Sequence, residues 1–243
     1  MRILILGGTS EASALVKGLA GRPGLDLTLS LAGRTSAPAA APVPTRVGGF
    51  GGAEGLAGYL GAHRVDLLVD ATHPFAARIS ANAAGAAARA GVPILAIRRP
   101  AWERRPGDDW REVESVAACI PALGEVPRRV FLTIGRMEIA EFAAAPQHDY
   151  VARTIEPVGE ALPVPRLTCI TARGPYDEAA EGAVLRDAGI EVLVSKNAGG
   201  AATYGKIAAA RALGLPVVMV RRPAKPDVPS VADAGQAMRA ILG

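Results

Sequence analysis

Short apolar runs alternate along the first hundred residues with longer segments whose apolar positions recur at helical spacing. Runs that are too short for a helix and rich in branched side chains are typical of strands buried on both faces of a parallel sheet. They predict strands at 2–6, 25–32, 65–70 and 92–97. Helices are predicted from about Ala12 and over 53–62 and 76–90, with Gly91 ending the last of them. This order predicts a doubly wound parallel sheet.

Residues 98–112 are polar, marked by prolines and free of helical periodicity, so we expect a domain connection there. A second alternation follows, with strands predicted at 129–133, 150–154, 167–171, 191–195 and 217–220, and helices at 113–123, 137–144, 177–188, 204–213 and 231–242. The fold class is therefore α/β, with two Rossmann-like doubly wound units, 1–100 and 101–243, and an active site in the cleft between them. An exchange of strands between the units stays open.

Composition excludes several classes of protein. Half of the 243 residues are apolar, yet no apolar run approaches the roughly 18 residues of a membrane span. Because a strand is predicted from residue 2, we expect no signal peptide. Cys119 and Cys169 lie far apart in apolar surroundings, which suits reduced thiols. A cytoplasmic protein is expected. No cluster has metal-ligand spacing, and a net charge of +4 with 4% aromatic residues does not favour nucleic acid.

Gly7 and Gly8 follow the first predicted strand directly, and helical spacing begins near Ala12. A strand, a glycine turn and a helix start, in that order, form an anion site, because glycine lets a ligand approach backbone N–H groups that the helix leaves free. The complete G-x-G-x-x-G fingerprint is absent, so a βα turn without a ligand is the alternative.

Polar residues and cations follow the other predicted strands. Arg34 and Thr35 come after the second strand, about 27 residues beyond the glycine turn, where NAD-binding folds place an acid. An arginine there favours the 2′-phosphate of NADP. Similar polar segments at 70–76, 133–136, 171–177 and 195–200 predict two facing rims that bind a large polyanion.

At these segments the chain resembles the precorrin-6A reductase (cobalt-precorrin-6A reductase) family of cobalamin biosynthesis. The most specific matches are Asp-Ala-Thr-His-Pro-Phe-Ala at 70–76 and Ser-Lys-Asn-Ala-Gly-Gly at 195–200. Further matches lie at 5–12, 79–83, 133–136 and 206–211. The resemblance implies that NADPH delivers hydride to one double bond of the precorrin-6A macrocycle, and that a proton completes the reduction to precorrin-6B. No resident metal is expected, because no cluster in the sequence has metal-ligand spacing.

With this family in view, candidate roles can be assigned. The cofactor candidates are Gly7, Gly8, Thr9, Arg34, Thr35 and Thr72; the catalytic candidates are His73 and Lys196; and the substrate candidates are Arg136, Arg173, Ser195, Asn197, Gly199 and Gly200. Some of them have a structural alternative: a turn hydrogen bond for His73, a surface loop for Lys196 and an exposed charge for the arginines. Ser80 and Asn82 can simply face solvent, and Tyr176 and Tyr204 are less favoured proton donors that can pack in the core. The tetrapyrrole is the expected partner of a monomer or loose homodimer.

Rival functions remain at this point. The segment 200–206 satisfies G-x-x-x-x-G-K, but Ile207 stands where a P-loop needs Ser or Thr, which argues against ATP hydrolysis. A short-chain dehydrogenase needs a Tyr-x-x-x-Lys pair, which the four tyrosines do not provide. A non-catalytic NADP-binding sensor is the alternative from another class.

Overall fold

In a computed structural model that describes residues 1–33 and 40–243, apolar runs form two sheets of six strands each. Every neighbouring pair of strands is parallel. The strands are β1 Arg2–Leu6, β2 Asp26–Leu31, β3 Thr45–Val47, β4 Leu67–Asp70, β5 Ile94–Ile97, β6 Trp110–Val113, β7 Arg129–Leu132, β8 Asp149–Thr154, β9 Leu167–Thr171, β10 Val192–Lys196, β11 Val217–Val220 and β12 Ser230–Val231. The helices are α1 Ser10–Leu19, α2 Gly52–Ala62, α3 Ala77–Ala90, α4 Cys119–Leu123, α5 Glu178–Asp187, α6 Gly205–Ala212 and α7 Ala234–Leu242, and 3₁₀ helices cover Ile139–Ala144 and Gly159–Ala161.

The chain divides into two units, and the first of them is discontinuous. It comprises Met1–Pro100 and Pro223–Gly243, while Ala101–Arg222 forms the second. This corrects the assignment of 101–243 to one unit. The strand exchange that the sequence left open is β12, which pairs with β5 in the first sheet.

The first sheet has the order β12-β5-β4-β1-β2-β3, with β1 near its centre. Ile3, Leu4 and Ile5 of β1 are at most 1% exposed, so side chains on both faces of this strand are buried. Burial of each such side chain contributes about 1.5–3 kcal/mol before the entropy cost of folding. One face packs on α1 and α7, and the other packs on α2 and α3. The observed strands and layers confirm the predicted doubly wound arrangement.

The second sheet has the order β6-β11-β10-β7-β8-β9. Its central strands β10 and β7 are buried along almost their whole length, as their apolar runs predict. Asp177 caps α5 by accepting a hydrogen bond from the amide of Ala180 at 2.8 Å. This element order confirms a second Rossmann-like unit built on the same plan as the first.

Three predictions of local structure are wrong, and all three concern edge strands. The helix predicted over 113–123 begins only at Cys119, as the short α4, because Val113 is the last residue of strand β6. The helix predicted from 231 begins only at Ala234, after β12. β3 lies between the strand predicted at 25–32 and the helix predicted at 53–62, where no strand is predicted. β3, β6 and β12 each pair with one neighbour. An edge strand buries fewer side chains, so its sequence lacks the continuous apolar run that marks a central strand.

The packing of the C-terminal segment 223–243 against the first unit can be tested by substitutions in α7. Ala237 is fully buried against α1, whereas Ala240 of the same helix is exposed. Ala237→Glu places an unpaired carboxylate in the core of the first unit and should lower its unfolding free energy by about 3 kcal/mol or more.

Urea unfolding, together with amide hydrogen exchange in β1 and α1, measures this effect. Ala240→Glu is the matched control and should leave both measurements nearly unchanged. Equal effects of the two substitutions would contradict the packing of α7 on α1.

Candidate functional site

The glycine turn after β1 is shaped by the neighbouring strand β2. The amide of Gly7 donates to the carbonyl of Ser30 at 2.9 Å. A Cβ atom at Gly7 would lie 2.6 Å from Cδ1 of Leu29, so a larger residue would require the Leu29 side chain to move. Gly8 has φ +102°, a conformation that favours glycine. The backbone conformation therefore favours glycine at position 8, and the packing of Leu29 favours a small residue at position 7.

Thr9 joins this turn to the end of β4. Its hydroxyl accepts from the amide of Ala12 at 3.1 Å, which caps α1, and donates to the carbonyl of Ala71 at 2.8 Å. The hydroxyl proton of this predicted cofactor residue is thus engaged within the protein. The carboxyl ends of β1 and β4 are held together as a result.

A cavity of about 450 Å³ opens beside this turn at the carboxyl ends of β1 and β2. Gly7 and Thr72 are the predicted cofactor residues that line it, whereas Gly8 and Thr9 do not. Arg34 and Thr35 lie outside the residues that the structure describes. The cavity has the size of a small-molecule site, which typically spans about 300–1,000 Å³.

The walls of the cavity include elements that the sequence analysis did not assign to a ligand. The segment 48–52 forms one wall, and Arg78, Ile79 and Asn82 of α3 form another. Asn82 thus faces the cavity, contrary to the alternative that it simply faces solvent. Arg78 is exposed, so the cavity combines apolar surfaces with a cation. In the sequence, the feature that could have indicated this wall is the helical spacing of residues 78, 79 and 82 shortly after the end of a predicted strand.

Asp70 is fully buried at the end of β4 and connects three elements. Its Oδ2 accepts from Arg98, which follows β5, at 2.7 Å. Its Oδ1 accepts from the amide and the hydroxyl of Thr72, at 3.1 and 2.6 Å, and the Thr72 hydroxyl lies 3.3 Å from that of the buried Ser80 in α3. The specific Asp-Ala-Thr motif and Ser80 therefore build the support beneath the cavity.

The charge of Asp70 is maintained in spite of its burial. Burial alone would raise the pKa of this carboxyl, but the hydroxyls of Ser80 and Thr72 and the guanidinium of Arg98 lower the pKa below its usual range. A similar balance acts at the start of α1. There burial raises the pKa of Glu11, but the ion pair with Arg99 at 2.7 Å lowers it, and the net shift is downward.

His73 lies in the turn that precedes α3. Its Nδ1 accepts from the amide of Phe75 at 3.2 Å. This is the turn hydrogen bond that the sequence offered as the alternative to a catalytic role for His73. This contact places the proton of the neutral ring on Nε2. Nζ of Lys225 donates to the carbonyl of His73 at 2.9 Å and lies 3.4 Å from the Thr72 hydroxyl. Only the return of the C-terminal segment to this unit brings Lys225 here, so sequence reasoning missed it.

In the second unit, Asn197 binds main chain rather than facing open solvent. Its Oδ1 accepts from the amide of Trp102 at 2.8 Å, and its Nδ2 donates to the Trp102 carbonyl at 2.9 Å. The indole of Trp102 donates to the carbonyl of Gly200 at 2.8 Å, and Arg222 donates to the carbonyls of Asn197 and Ala198. The segment 195–200 is thus held by Trp102 and Arg222, which lie near the first and at the last residue of the second unit.

The remaining residues of this segment occupy different environments. Ser195 is fully buried, and its hydroxyl donates to the carbonyl of Lys196 at 3.3 Å. The ammonium of Lys196 pairs with Glu138. Gly199 and Gly200 have φ of +67° and +74°, consecutive left-handed positions that favour glycine.

The predicted substrate arginines lie nearer the surface. Arg136 is about half exposed, and its guanidinium is 3.8 Å from the carboxylate of Glu156. Arg173 is exposed. Tyr176 packs under the guanidinium of Arg153 at 3.8 Å, and the Tyr204 hydroxyl accepts from Arg211 at 3.0 Å. The tyrosine contacts agree with the packing roles considered for both residues.

Lys206 is buried in the first turn of α6, as expected for a helix rather than a P-loop. Its ammonium lies 5.5 Å from the centroid of the Trp102 ring. Burial lowers the pKa of Lys206 to about 7; the nearby Arg153 lowers it further, whereas Glu181 opposes the shift. Glu181 is itself bound by both terminal nitrogens of Arg153.

Over residues 1–33 and 40–243, no group of three His, Cys, Asp or Glu side chains is arranged to hold a metal ion. Over the same ranges, no helix is both long and apolar enough to cross a membrane.

The parallel sheets, and the cavity at the carboxyl ends of β1 and β2 in the first unit, define the class of Rossmann-like α/β proteins. Comparison with known proteins makes this more specific. The family model "Precorrin-6x reductase CbiJ/CobK" matches residues 2–241. The chain therefore belongs to the precorrin-6x reductase family and is an oxidoreductase.

Individual relatives agree with the family match. A precorrin-6A reductase of Sinorhizobium sp is 55% identical over 240 residues, covering 99% of this chain and 92% of the relative. A precorrin-6A reductase of Rhodobacter capsulatus is 48% identical, covering 93% of this chain and 89% of the relative. A solved structure of CobK precorrin-6A reductase superposes with a TM-score of 0.94 at 46% identity, covering 99% of this chain and 96% of that one.

Removal of the buried carboxylate should destabilise the first unit in a pH-dependent way. Because the pKa of Asp70 is lowered on folding, its contribution is complete well above 3.8 and is lost as the pH falls below that value. Asp70→Asn leaves Arg98 uncompensated and should cost about 3 kcal/mol at pH 7. Urea unfolding should show that the difference in unfolding free energy between Asp70→Asn and the unaltered chain becomes smaller as the pH falls from 7 to 3. The control is Asp26→Asn, at an exposed carboxylate 3.9 Å from Arg2, which should change the unfolding free energy little.

Replacement of Lys206 should have the opposite effect on stability. The folded chain holds its pKa near 7 against an ordinary value of 10.5, so the charged form destabilises the fold below pH 7 and this penalty vanishes as the pH rises to 10.5. Lys206→Met should therefore stabilise the second unit by on the order of a few kcal/mol at pH 6.5. Unfolding followed by the fluorescence of Trp102 and Trp110 measures the gain. A gain that persists undiminished at pH 10 would contradict the assigned cause.

Proposed function

We propose that NADPH is the reductant with which this chain reduces precorrin-6A in cobalamin biosynthesis. Family membership and the high identity to precorrin-6A reductases support the reaction and oppose the sensor and short-chain dehydrogenase alternatives. The observation that carries the choice of a nucleotide cofactor is the cavity beside the glycine turn at the carboxyl ends of β1 and β2. When bound, the reduced nicotinamide supplies the hydride.

The residues around this cavity fit part of a dinucleotide. Phe50, Leu56 and Ile79 offer apolar surface for a flat base, while Ser30 and Asn82 offer hydrogen-bonding groups. The close approach at Gly7, where a Cβ atom would collide with Leu29, leaves backbone beside the cavity. Arg78 at its wall adds a positive charge suited to a phosphate.

The preference for NADPH over NADH rests on Arg34, which follows β2 in the sequence. A guanidinium at that position binds a 2′-phosphate in two-point geometry, whereas an acid would bind the ribose hydroxyls of NADH.

For the substrate, we assign the carboxylates of the tetrapyrrole to Arg136 and Arg173. Both side chains are accessible, and an arginine fork matches a carboxylate. His73 is the proposed proton donor, and the hydrogen bond from the amide of Phe75 to Nδ1 orients its ring so that Nε2 is the nitrogen assigned to the proton transfer. Lys196, paired with Glu138, is the second catalytic candidate, with a role in holding the substrate. We place the enzyme in the cytoplasm, where its two free cysteines stay reduced.

The test is a reductase assay with precorrin-6A and either NADPH or NADH, followed by the near-ultraviolet absorbance of the reduced nicotinamide. We expect oxidation of NADPH that depends on precorrin-6A. Arg34→Ala should raise the KM for NADPH by about 10- to 100-fold, the loss of a charge-assisted hydrogen bond, and leave the KM for NADH unchanged.

Arg22→Ala is the control, because Arg22 binds the carbonyl of Gly18 within α1. NADPH binding without oxidation would favour a sensor, and equal use of the two nucleotides by the unaltered chain would refute the assignment of Arg34.

A further inference from the structure

Arg46, the central residue of the edge strand β3, has a guanidinium with three hydrogen bonds to nearby groups. One terminal nitrogen donates to the hydroxyl of Ser30 and to the carbonyl of Gly48, both at 2.9 Å. The other donates to the carbonyl of Gly49 at 3.1 Å. The side chain thus joins β2 to the segment that follows β3.

Aromatic contacts hold the same guanidinium from another side. Its central carbon lies 3.7 Å from the centroid of the Phe50 ring, and Phe50 meets Tyr59 of α2 edge to face at 5.1 Å. Stacking and hydrogen bonding use the plane and the edge of the guanidinium at once, and only arginine offers both.

The segment held in this way forms a wall of the cavity. Residues 48–52 line it, whereas Arg46 is absent from its lining. Gly48, Gly51 and Gly52 have φ of +120°, +79° and +97°. Four glycines in five residues give the segment many alternative conformations in isolation. A specific wall therefore requires an external restraint, and Arg46 supplies it through two carbonyls and one ring.

We propose that Arg46 is a positioning residue for the nucleotide: it holds the 48–52 segment in the shape that receives NADPH without contacting the ligand itself. The inference rests on the proposed use of NADPH. Part of the affinity for the cofactor then comes from Arg46, a side chain that lies behind the cavity wall.

Lysine cannot replace Arg46 in this role. An ammonium presents no planar fork to Gly48, Gly49 and Ser30, and it stacks less well on Phe50. Arg46→Lys keeps the charge and should behave like Arg46→Met. Both should raise the KM and Kd for NADPH by about 10- to 100-fold, as loss of a supporting residue typically does. The kcat and the KM for precorrin-6A should stay within about twofold, because the reacting atoms keep their surroundings.

The experiment measures NADPH binding and steady-state kinetics for the unaltered chain, Arg46→Lys, Arg46→Met and the control Arg22→Lys. Amide hydrogen exchange across 48–52 accompanies them and should be faster in both Arg46 variants while exchange in β1 stays slow. This localised change excludes general unfolding as the cause. Binding at low and high salt separates positioning from direct contact, since a lost phosphate contact would matter less in high salt.

Support for the inference is a loss of affinity that is equal in Arg46→Lys and Arg46→Met and independent of salt. Retention of affinity in Arg46→Lys, or a loss that fades in high salt, would overturn it in favour of direct contact with a phosphate. Unchanged NADPH binding in both variants would overturn the inference alone. Absence of NADPH binding by the unaltered chain would overturn the proposed function and this inference together.

Discussion

The buried carboxylate of Asp70 is the constraint on which the cavity beside the glycine turn depends. A charge without exposure to water must be matched by donors on all sides, and Arg98, Thr72 and Ser80 provide them. These donors come from the residue after β5, from the turn after β4 and from α3, so satisfying one charge holds three elements together. The Thr9 hydroxyl adds the turn after β1 through the carbonyl of Ala71.

The second unit solves a similar problem with an amide instead of a charge. Asn197 satisfies both the amide and the carbonyl of Trp102, and Arg222 satisfies the carbonyls that remain in the same segment. Polar residues of the most family-specific motif thus serve the backbone around them. Asn197 and the buried Ser195 belong to a motif that identifies the family, and both support the local backbone in addition to any contact with a ligand.

Much of the candidate site could be predicted because strand ends are visible in the sequence. Gly7 and Thr72 follow clear apolar runs, and they line one cavity as the topology requires. Arg46 could not be found in this way, since β3 is a short edge strand with few buried side chains. Asn82 and Arg78 needed the packing of α3, because helical spacing alone does not say which face meets a cavity. The roles of His73 and Lys196 stay predictions.

The sequence by itself determined the number and kind of the central elements, since a buried strand must be apolar along its length and a helix must show its period. It also determined the family, through motifs that occur in order along the chain. Only the tertiary structure decided that residues 223–243 rejoin the first unit, with β12 beside β5 and Lys225 beside His73. Two residues of edge strand and one lysine carry no local pattern, and their places follow from long-range pairing and packing alone.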